Sequence, residues 1–237
     1  VMEPHAWDLR PEQAITLQQQ WRRQGITEGL LGPVTHVAGV DVGFEDQNKV
    51  TRAAIVVLSY PDLQVVDSAL ARLPTHYPYI PGLLSFREMP AILRAYEQLR
   101  VIPDLLLCDG QGIAHPRRFG IACHLGLWLD KPAIGVGKSR LVGKHAEPPA
   151  EKGHWTPLLD DNEVIGAVLR TRVGVKPLYI SPGHRISLEG AVHWVMACVT
   201  RFKLPETTRQ AHHLASNLKS NLQPAASQSA TKRSSRR

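Results

Sequence analysis

The sequence contains little cysteine and no long hydrophobic run. Its three cysteines, Cys108, Cys123 and Cys198, are widely spaced and include no Cys-x-x-Cys pair. This argues against a disulfide framework or a zinc site and favours a reducing compartment. No apolar stretch approaches the roughly 18 residues of a membrane span, and the polar N-terminal segment lacks the character of a secretory signal. We therefore expect a cytoplasmic protein that does not associate with membranes.

The C-terminal tail contains no acidic residue and is rich in basic ones. The chain has a net charge of +7, and five of its 28 lysine and arginine residues lie between Ser216 and Arg237. The Ser/Ala/Gln-rich composition predicts that this tail, residues 216–237, is disordered. A basic tail favours polyanions through counterion release, although such tails also serve only as solubilising ends. Both interpretations stay open.

With 237 residues the chain is long enough for one large domain or two small ones. We expect residues 1–215 to form a single domain, and they show no internal repeat. Apolar periodicity predicts helices at 11–24, 85–99, 121–130, 187–199 and 206–215, and strands at 36–44, 51–60, 63–73, 104–110, 132–139, 164–171 and 176–184. Short breaks join the first three strands, which predicts an antiparallel meander. The later strands alternate with helices. The predicted fold class is therefore α/β: a mixed sheet in which the meander is followed by parallel strands, with flanking helices.

Three acidic residues lie where an apolar run or a helix start meets a turn. Asp41 lies in HVAGVDVGFE, Glu88 in SFREMPAIL, and Asp109 ends the run DLLLCDG. Carboxylates that converge from distant strands provide the oxygen ligands that Mg²⁺ requires, and such a site suits phosphodiester hydrolysis. The alternative is that each residue only forms a turn or caps a helix.

The segment YPYIPG is a loop stiffened by two prolines, and it carries Tyr79 and Ile80. Rigid, exposed groups of this kind enter the base stack in many proteins that bend DNA or extrude a base. The alternative is that the aromatic residue packs back onto the core.

A glycine-rich loop, DGQGIAHPRRFG, follows Asp109 directly. Gly110 and Gly112 allow close approach of the backbone to a ligand, and His115, Arg117 and Arg118 are donors suited to phosphate contacts. Further along, GVGKSR places Lys138 after a strand end, where it neutralises a phosphate, polarises a water or is simply solvated.

In this order the motifs closely resemble the endonuclease V family, the deoxyinosine-directed repair nucleases of the ribonuclease H-like superfamily. The resemblance runs from about residue 10 to residue 213. The segments that carry it are GVDVGFE, PYIPGLLSFRE, DGQGIAHPRRFG, GVGKSRL and PLYISPGHRISL.

The resemblance implies catalytic roles for Asp41, Glu88, Asp109, Lys138 and His212. The three acidic residues would bind the metal. His212 follows the pattern Thr-Arg-x-Ala at a position that some members fill with histidine and others with aspartate, and the adjacent His213 is an alternative.

The resemblance also implies two contact surfaces for the damaged strand. Tyr79, with Ile80 and Pro81, would form a wedge that fills the space left by the extruded base. The lesion pocket would be formed by backbone near Gly82, Leu84, Gly110, Gly120, Ile121 and Gly135.

The activity implied is Mg²⁺-dependent cleavage, with Mn²⁺ as a substitute, at the second phosphodiester bond 3′ to deoxyinosine or a related deaminated base. The products would carry 3′-hydroxyl and 5′-phosphate ends. We expect a monomer that binds DNA, with the basic tail adding salt-sensitive affinity. Two alternatives stay open: action on inosine in RNA, and a module that binds damaged nucleic acid without cutting it.

Overall fold

The computed structural model describes residues 3–29 and 31–216. Apart from Ser216, the predicted basic tail lies outside the described residues. Within the described part of the chain, no helix combines the length and the apolar character needed to cross a bilayer.

The structure contains five α-helices and eight strands in the described residues. The helices are α1 (Pro11–Trp21), α2 (Leu84–Glu97), α3 (Ile121–Leu129), α4 (Leu188–Cys198) and α5 (Glu206–Ser216). The strands are β1 (His36–Glu45), β2 (Val50–Ser59), β3 (Val65–Pro74), β4 (Leu105–Asp109), β5 (Ala133–Gly137), β6 (Trp155–Asp160), β7 (Glu163–Leu169) and β8 (Leu178–His184).

All eight strands form one mixed sheet in the order β3-β2-β1-β4-β5-β8-β7-β6. The antiparallel meander predicted for the first three strands is confirmed. The parallel part is smaller than predicted, because only β4 and β5 run parallel to β1. β8 joins β5 in the antiparallel direction, and β7 and β6 continue antiparallel. The predicted set of strands also lacked β6.

Helices cover both faces of the sheet and bury two separate cores. On one face, α2 and α3 pack on side chains of β1, β2 and β4 that alternate with those of the opposite face. On the other face, α5 lies mainly on β1 and β2, and α4 lies on β7 and β8. Leu106 and Cys108 belong to the first core, and Leu105 and Leu107 to the second. The next side chain in this alternation, Asp109, therefore points to the α4–α5 side.

The last helix lies unusually close to the sheet because a glycine faces it. A Cβ atom on Gly39 would lie 1.9 Å from the backbone oxygen of Thr207 in α5. Only a residue without a side chain allows this approach. The contact brings the second half of α5, which carries His212, over β1.

Candidate active site

Asp41, Asp109 and His212 meet at neighbouring positions on β1, β4 and α5. β1 and β4 are parallel and pair Val40 with Cys108, so the next residues, Asp41 and Asp109, lie side by side. One ligand atom of each carboxylate and of His212 lies within 4.8 Å of the others. His212 Nδ1 lies 3.1 Å from Asp41 Oδ2, while Asp41 Oδ1 accepts a hydrogen bond from the Val42 amide at 2.8 Å.

Glu88 approaches this group from α2. Burial, followed by the negative charges of Asp109 and Asp41, raises the pKa of Glu88 to about 8. Burial and the charge of Asp109 raise the pKa of Asp41 to about 7. Crowded carboxylates in a poorly solvated position resist simultaneous ionisation. A divalent cation would relieve this repulsion, so the donor set fits a metal ion.

Lys138 supplies the positive charge closest to Asp109. It follows β5 directly, and its Nζ donates to Asp109 Oδ2 at 2.9 Å. Burial and the charges of Lys176 and Lys138 lower the pKa of Lys203. Lys138 also lines a groove of about 560 Å³ together with Arg140, Arg170 and Lys176, and Glu147 lies in the same lining. The arrangement suits a polyanionic strand.

A cavity of about 290 Å³ opens next to the carboxylates, with Glu88 and Asp109 in its wall. Five of the six residues predicted for the lesion pocket line it: Gly82, Leu84, Gly110, Gly120 and Ile121. The first residues of α2 and of α3 both lie in the wall. Amides at a helix start lack an intrahelical partner. Those of Phe86 and Ala122 donate to the Leu83 and Gln111 oxygens, so the candidates for an acceptor-rich ligand edge are the amides of the first residues, Leu84 and Ile121.

Gly135, the sixth residue predicted for the pocket, does not line the cavity. It lies inside β5, where a Cβ atom would come within 2.2 Å of the Gly112 amide nitrogen. Its role is to let the glycine-rich loop pack against the strand. Gly135 therefore contributes to the pocket indirectly, by allowing the loop that follows Asp109 to lie close to β5.

The proline-rich loop divides its aromatic residues between core and solvent. Tyr77 packs into the core with Phe86, whereas Tyr79 is 67% exposed. Tyr79 and Pro81 border the cavity. Ile80 packs partly against the small core beside α1, so only part of the predicted wedge projects into solvent.

His115 and Arg117 are engaged within the protein. His115 is buried, and its Nε2 lies 2.8 Å from the Gly82 carbonyl oxygen. Its Nδ1 accepts from the Arg117 amide at 3.0 Å, and burial lowers the pKa of His115 to about 4. Arg117 donates to Gln18 and to the Gly82 oxygen. The structure thus gives His115 the role of holding the loop at Gly82, which leaves its ring without a donor for the predicted phosphate contact.

Several cavity residues had not been assigned from the sequence. They are Ser85, Gln111, Phe119, Ser139, Arg140 and Leu141. Most stand beside a motif residue that had been singled out, so adjacency was the available signal.

A mixed eight-stranded sheet with flanking helices carries two carboxylates on its central parallel strands, beside a cavity and a basic groove, and its fold matches that of solved nucleases of the endonuclease V class. The sequence model of the endonuclease V family matches residues 16–213. This chain belongs to the endonuclease V family and is a hydrolase of phosphodiester bonds.

Individual relatives agree with this assignment. Endonuclease V of Trichormus variabilis is 57% identical over 218 residues, covering 92% of this chain and 99% of the relative. The crystal structure of Endonuclease V from Streptomyces avermitilis has a TM-score of 0.85 at 41% identity, covering 90% of this chain and 94% of the other. Ciona intestinalis Endonuclease V, 27% identical with a TM-score of 0.75, was solved in complex with a 24mer DNA containing an inosine followed by a ribo-adenosine; 86% of this chain and 95% of that one are covered.

Proposed function

We propose that this nuclease cuts DNA at deoxyinosine and related deaminated bases, at the second phosphodiester bond 3′ to the lesion, and leaves 3′-hydroxyl and 5′-phosphate ends. The observation that carries the proposal is the position of the acidic group beside a cavity of about 290 Å³. Glu88 and Asp109 stand in the wall of this cavity. A base held in the cavity would therefore keep the backbone of its own strand next to the carboxylates.

The cofactor proposed is Mg²⁺, with Mn²⁺ as a substitute, held by Asp41 and Asp109 with Glu88 as the third carboxylate. Oxygen-rich donor sets of this kind are the ones that Mg²⁺ prefers. When bound, the metal would activate a water and stabilise charge on the scissile phosphate. His212 fixes Asp41 Oδ2 through its Nδ1. Lys138 balances the charge of Asp109 and presents an ammonium group to the phosphate.

Lesion selection begins with extrusion of the base. A deaminated base pairs weakly, so its removal from the stack costs less than that of a normal base. Tyr79, exposed at the rim of the cavity, would occupy the gap that the base leaves. The amides of Leu84 and Ile121, at the starts of α2 and α3, would then meet the acceptor atoms of the extruded base.

Inosine in RNA is a second candidate substrate. The Ciona intestinalis relative was crystallised with inosine followed by a ribo-adenosine, which is why a ribonucleotide next to the lesion deserves direct comparison. Matched 5′-labelled DNA, RNA and mixed strands that differ only in sugar would rank the substrates.

The decisive experiment for the proposal is a cleavage map of one inosine-bearing duplex with Mg²⁺ and with a chelator. We expect a single nick at the second bond 3′ to inosine, dependent on the metal, and no nick in the undamaged duplex. Equal cutting of both duplexes would refute lesion specificity. Tight binding without any nick would instead support a binding module that does not cut.

A further inference from the structure

Gln18 is a fully buried polar side chain to which the proposed function gives no role. It lies on the inner face of α1, one helical turn after Ala14, which is also fully buried. Burial of a neutral amide costs free energy unless its polar atoms form hydrogen bonds. A glutamine at this position therefore needs partners inside the protein.

Both ends of the Gln18 amide have such partners. Its Nε2 donates to the Gly82 carbonyl oxygen at 2.9 Å, and its Oε1 accepts from Arg117 Nε. A carbonyl oxygen only accepts and a guanidinium group only donates, so these two contacts fix the orientation of the amide. The side chain is thus specified by its hydrogen bonds and not only by its packing.

The Gly82 carbonyl oxygen is held by three side chains. Besides the contact from Gln18, His115 Nε2 lies 2.8 Å from this oxygen, and a terminal nitrogen of Arg117 donates to it at 3.1 Å. A carbonyl oxygen offers two lone pairs, so three donors fix its position firmly. We call Gln18, His115 and Arg117 together the Gly82 clamp.

The clamped peptide belongs to the turn that carries the proposed wedge. The Leu83 amide donates to the Ile80 carbonyl oxygen at 2.9 Å and closes this turn. Pro81 and Gly82 form its centre, and the φ of Gly82, +83°, is typical of a type II turn with proline before glycine. Tyr79 directly precedes the turn and is 67% exposed. The turn, more than packing on the core, therefore sets the direction of Tyr79.

We infer that Gln18 is a positioning residue, which acts through the Gly82 carbonyl to hold Tyr79 in the orientation that enters the base stack. A turn that is ordered in advance lowers the entropic cost of binding damaged DNA. Gln18 itself is enclosed beneath α1 and acts only through Gly82. The inference rests on the proposed function, and it extends the sensing of the lesion to a residue of the first helix.

The test is a double-mutant cycle between Gln18 and Tyr79. Gln18→Met keeps the length and the helix propensity of the side chain and removes both of its hydrogen bonds. Affinities for an inosine duplex and for the same duplex without the lesion are measured in chelator. Gln18→Met should bind the inosine duplex about tenfold more weakly, because the turn loses a buried hydrogen bond. Its affinity for the undamaged duplex should not change. In Tyr79→Ala protein, the same substitution should change lesion affinity by only about onefold.

Ala14→Gly is the matched control for stability. Glycine loosens the same buried face of α1 and leaves the hydrogen bonds to Gly82 in place. This variant should melt at a lower temperature and keep its lesion affinity.

Gln18→Glu tests the clamp independently and serves where Gln18→Met folds poorly. Beside the Arg117 guanidinium its carboxylate stays ionised, so it keeps that contact and has no donor for the Gly82 oxygen. It should lose lesion affinity as Gln18→Met does. Thermal melting shows which of the variants are folded.

Three outcomes would overturn the inference. The first is full lesion affinity in both Gln18 variants. The second is an equal loss with and without the Tyr79 ring, which would indicate a general role in the packing of α1. The third is a loss of the same size in Ala14→Gly. Failure of the proposed function would look different, because the unmodified protein would then bind inosine and undamaged duplexes alike, and the inference would fall with it.

Discussion

His212 Nδ1 lies 3.1 Å from Asp41 Oδ2, although 171 residues separate the two in the chain. The contact depends on α5 lying directly on β1. It ties the last described helix to the carboxylate at the centre of the sheet. Both His212 and the adjacent His213 are exposed, and the contact with Asp41 is what distinguishes His212.

His212→Ala should therefore slow cleavage of inosine DNA, whereas His213→Ala should not. His212 holds a carboxylate proposed to bind the metal, and removal of such a partner typically costs about 10- to 100-fold in activity or metal affinity. Single-turnover rates at several Mg²⁺ concentrations measure the effect. Equal rates for the two variants would remove His212 from the site.

Gly39→Ala should also disturb the contact between His212 and Asp41, because it alters the packing of α5 on β1. The new methyl group would lie within 1.9 Å of the Thr207 oxygen, which forces α5 away from β1. Overpacking of this kind costs about 1–3 kcal/mol, and the displaced His212 should reduce activity as well. Denaturant unfolding and cleavage assays measure both. Gly32→Ala is the control, since no atom of residues 3–29 and 31–216 lies within 4 Å of its added Cβ.

Tyr79→Ala should weaken binding to the inosine duplex and leave metal binding unchanged. Stacking of a base on an aromatic ring contributes about 1–3 kcal/mol, and the exposed ring of Tyr79 borders the cavity. Tyr79→Phe retains the ring and should bind almost normally. Unchanged lesion affinity in Tyr79→Ala would exclude the wedge role.

The ion pair between Asp130 and Arg185 predicts a pH-dependent contribution to stability. Arg185 donates to both carboxylate oxygens, at 2.7 and 3.0 Å, and with His184 it holds the pKa of Asp130 well below its usual value. A lowered folded-state pKa stabilises the protein above the unfolded value, about 3.9, and the contribution is lost as pH falls further.

Asp130→Asn should thus unfold more easily at pH 7, by at most about 1 kcal/mol because the pair is partly exposed. The difference from the unmodified protein should shrink below pH 3.9 or so. Urea unfolding at pH 7 and pH 3 measures it. A difference that is constant across this range would contradict the assigned cause.

The pattern of the sequence was sufficient for the meander and for all five helices, because their apolar periodicities are long and regular. β6 was not predicted from the sequence, because Pro157 interrupts its short apolar run. The structure explains why proline is tolerated there: β6 is the edge strand of the sheet, next to β7, and its outer side carries an isolated bridge between Leu159 and Lys144 rather than a further strand in the described residues. The antiparallel direction of β8 could not be read from its residues, since a buried apolar run looks alike in either direction.

Part of the candidate site was also predictable from the sequence, and part required the structure. The convergence of Asp41 and Asp109 follows from the parallel pairing of their strands. Gly135 and Gly110 look alike in sequence, yet one packs against backbone and the other lines the cavity. His115 carries donors suited to phosphate, but its burial assigns them to Gly82. Burial and side-chain orientation decide these cases, and neither is encoded in a short motif.

The most direct measurement of the central claim is Mg²⁺-dependent nicking of an inosine duplex by Asp109→Ala, compared with Asp62→Ala. Asp62 is an acidic residue exposed in the turn between β2 and β3. It is not one of the three carboxylates proposed to bind the metal. We predict that Asp109→Ala remains folded and loses at least about 100-fold in rate, while Asp62→Ala cuts normally. Full activity in Asp109→Ala would contradict the account.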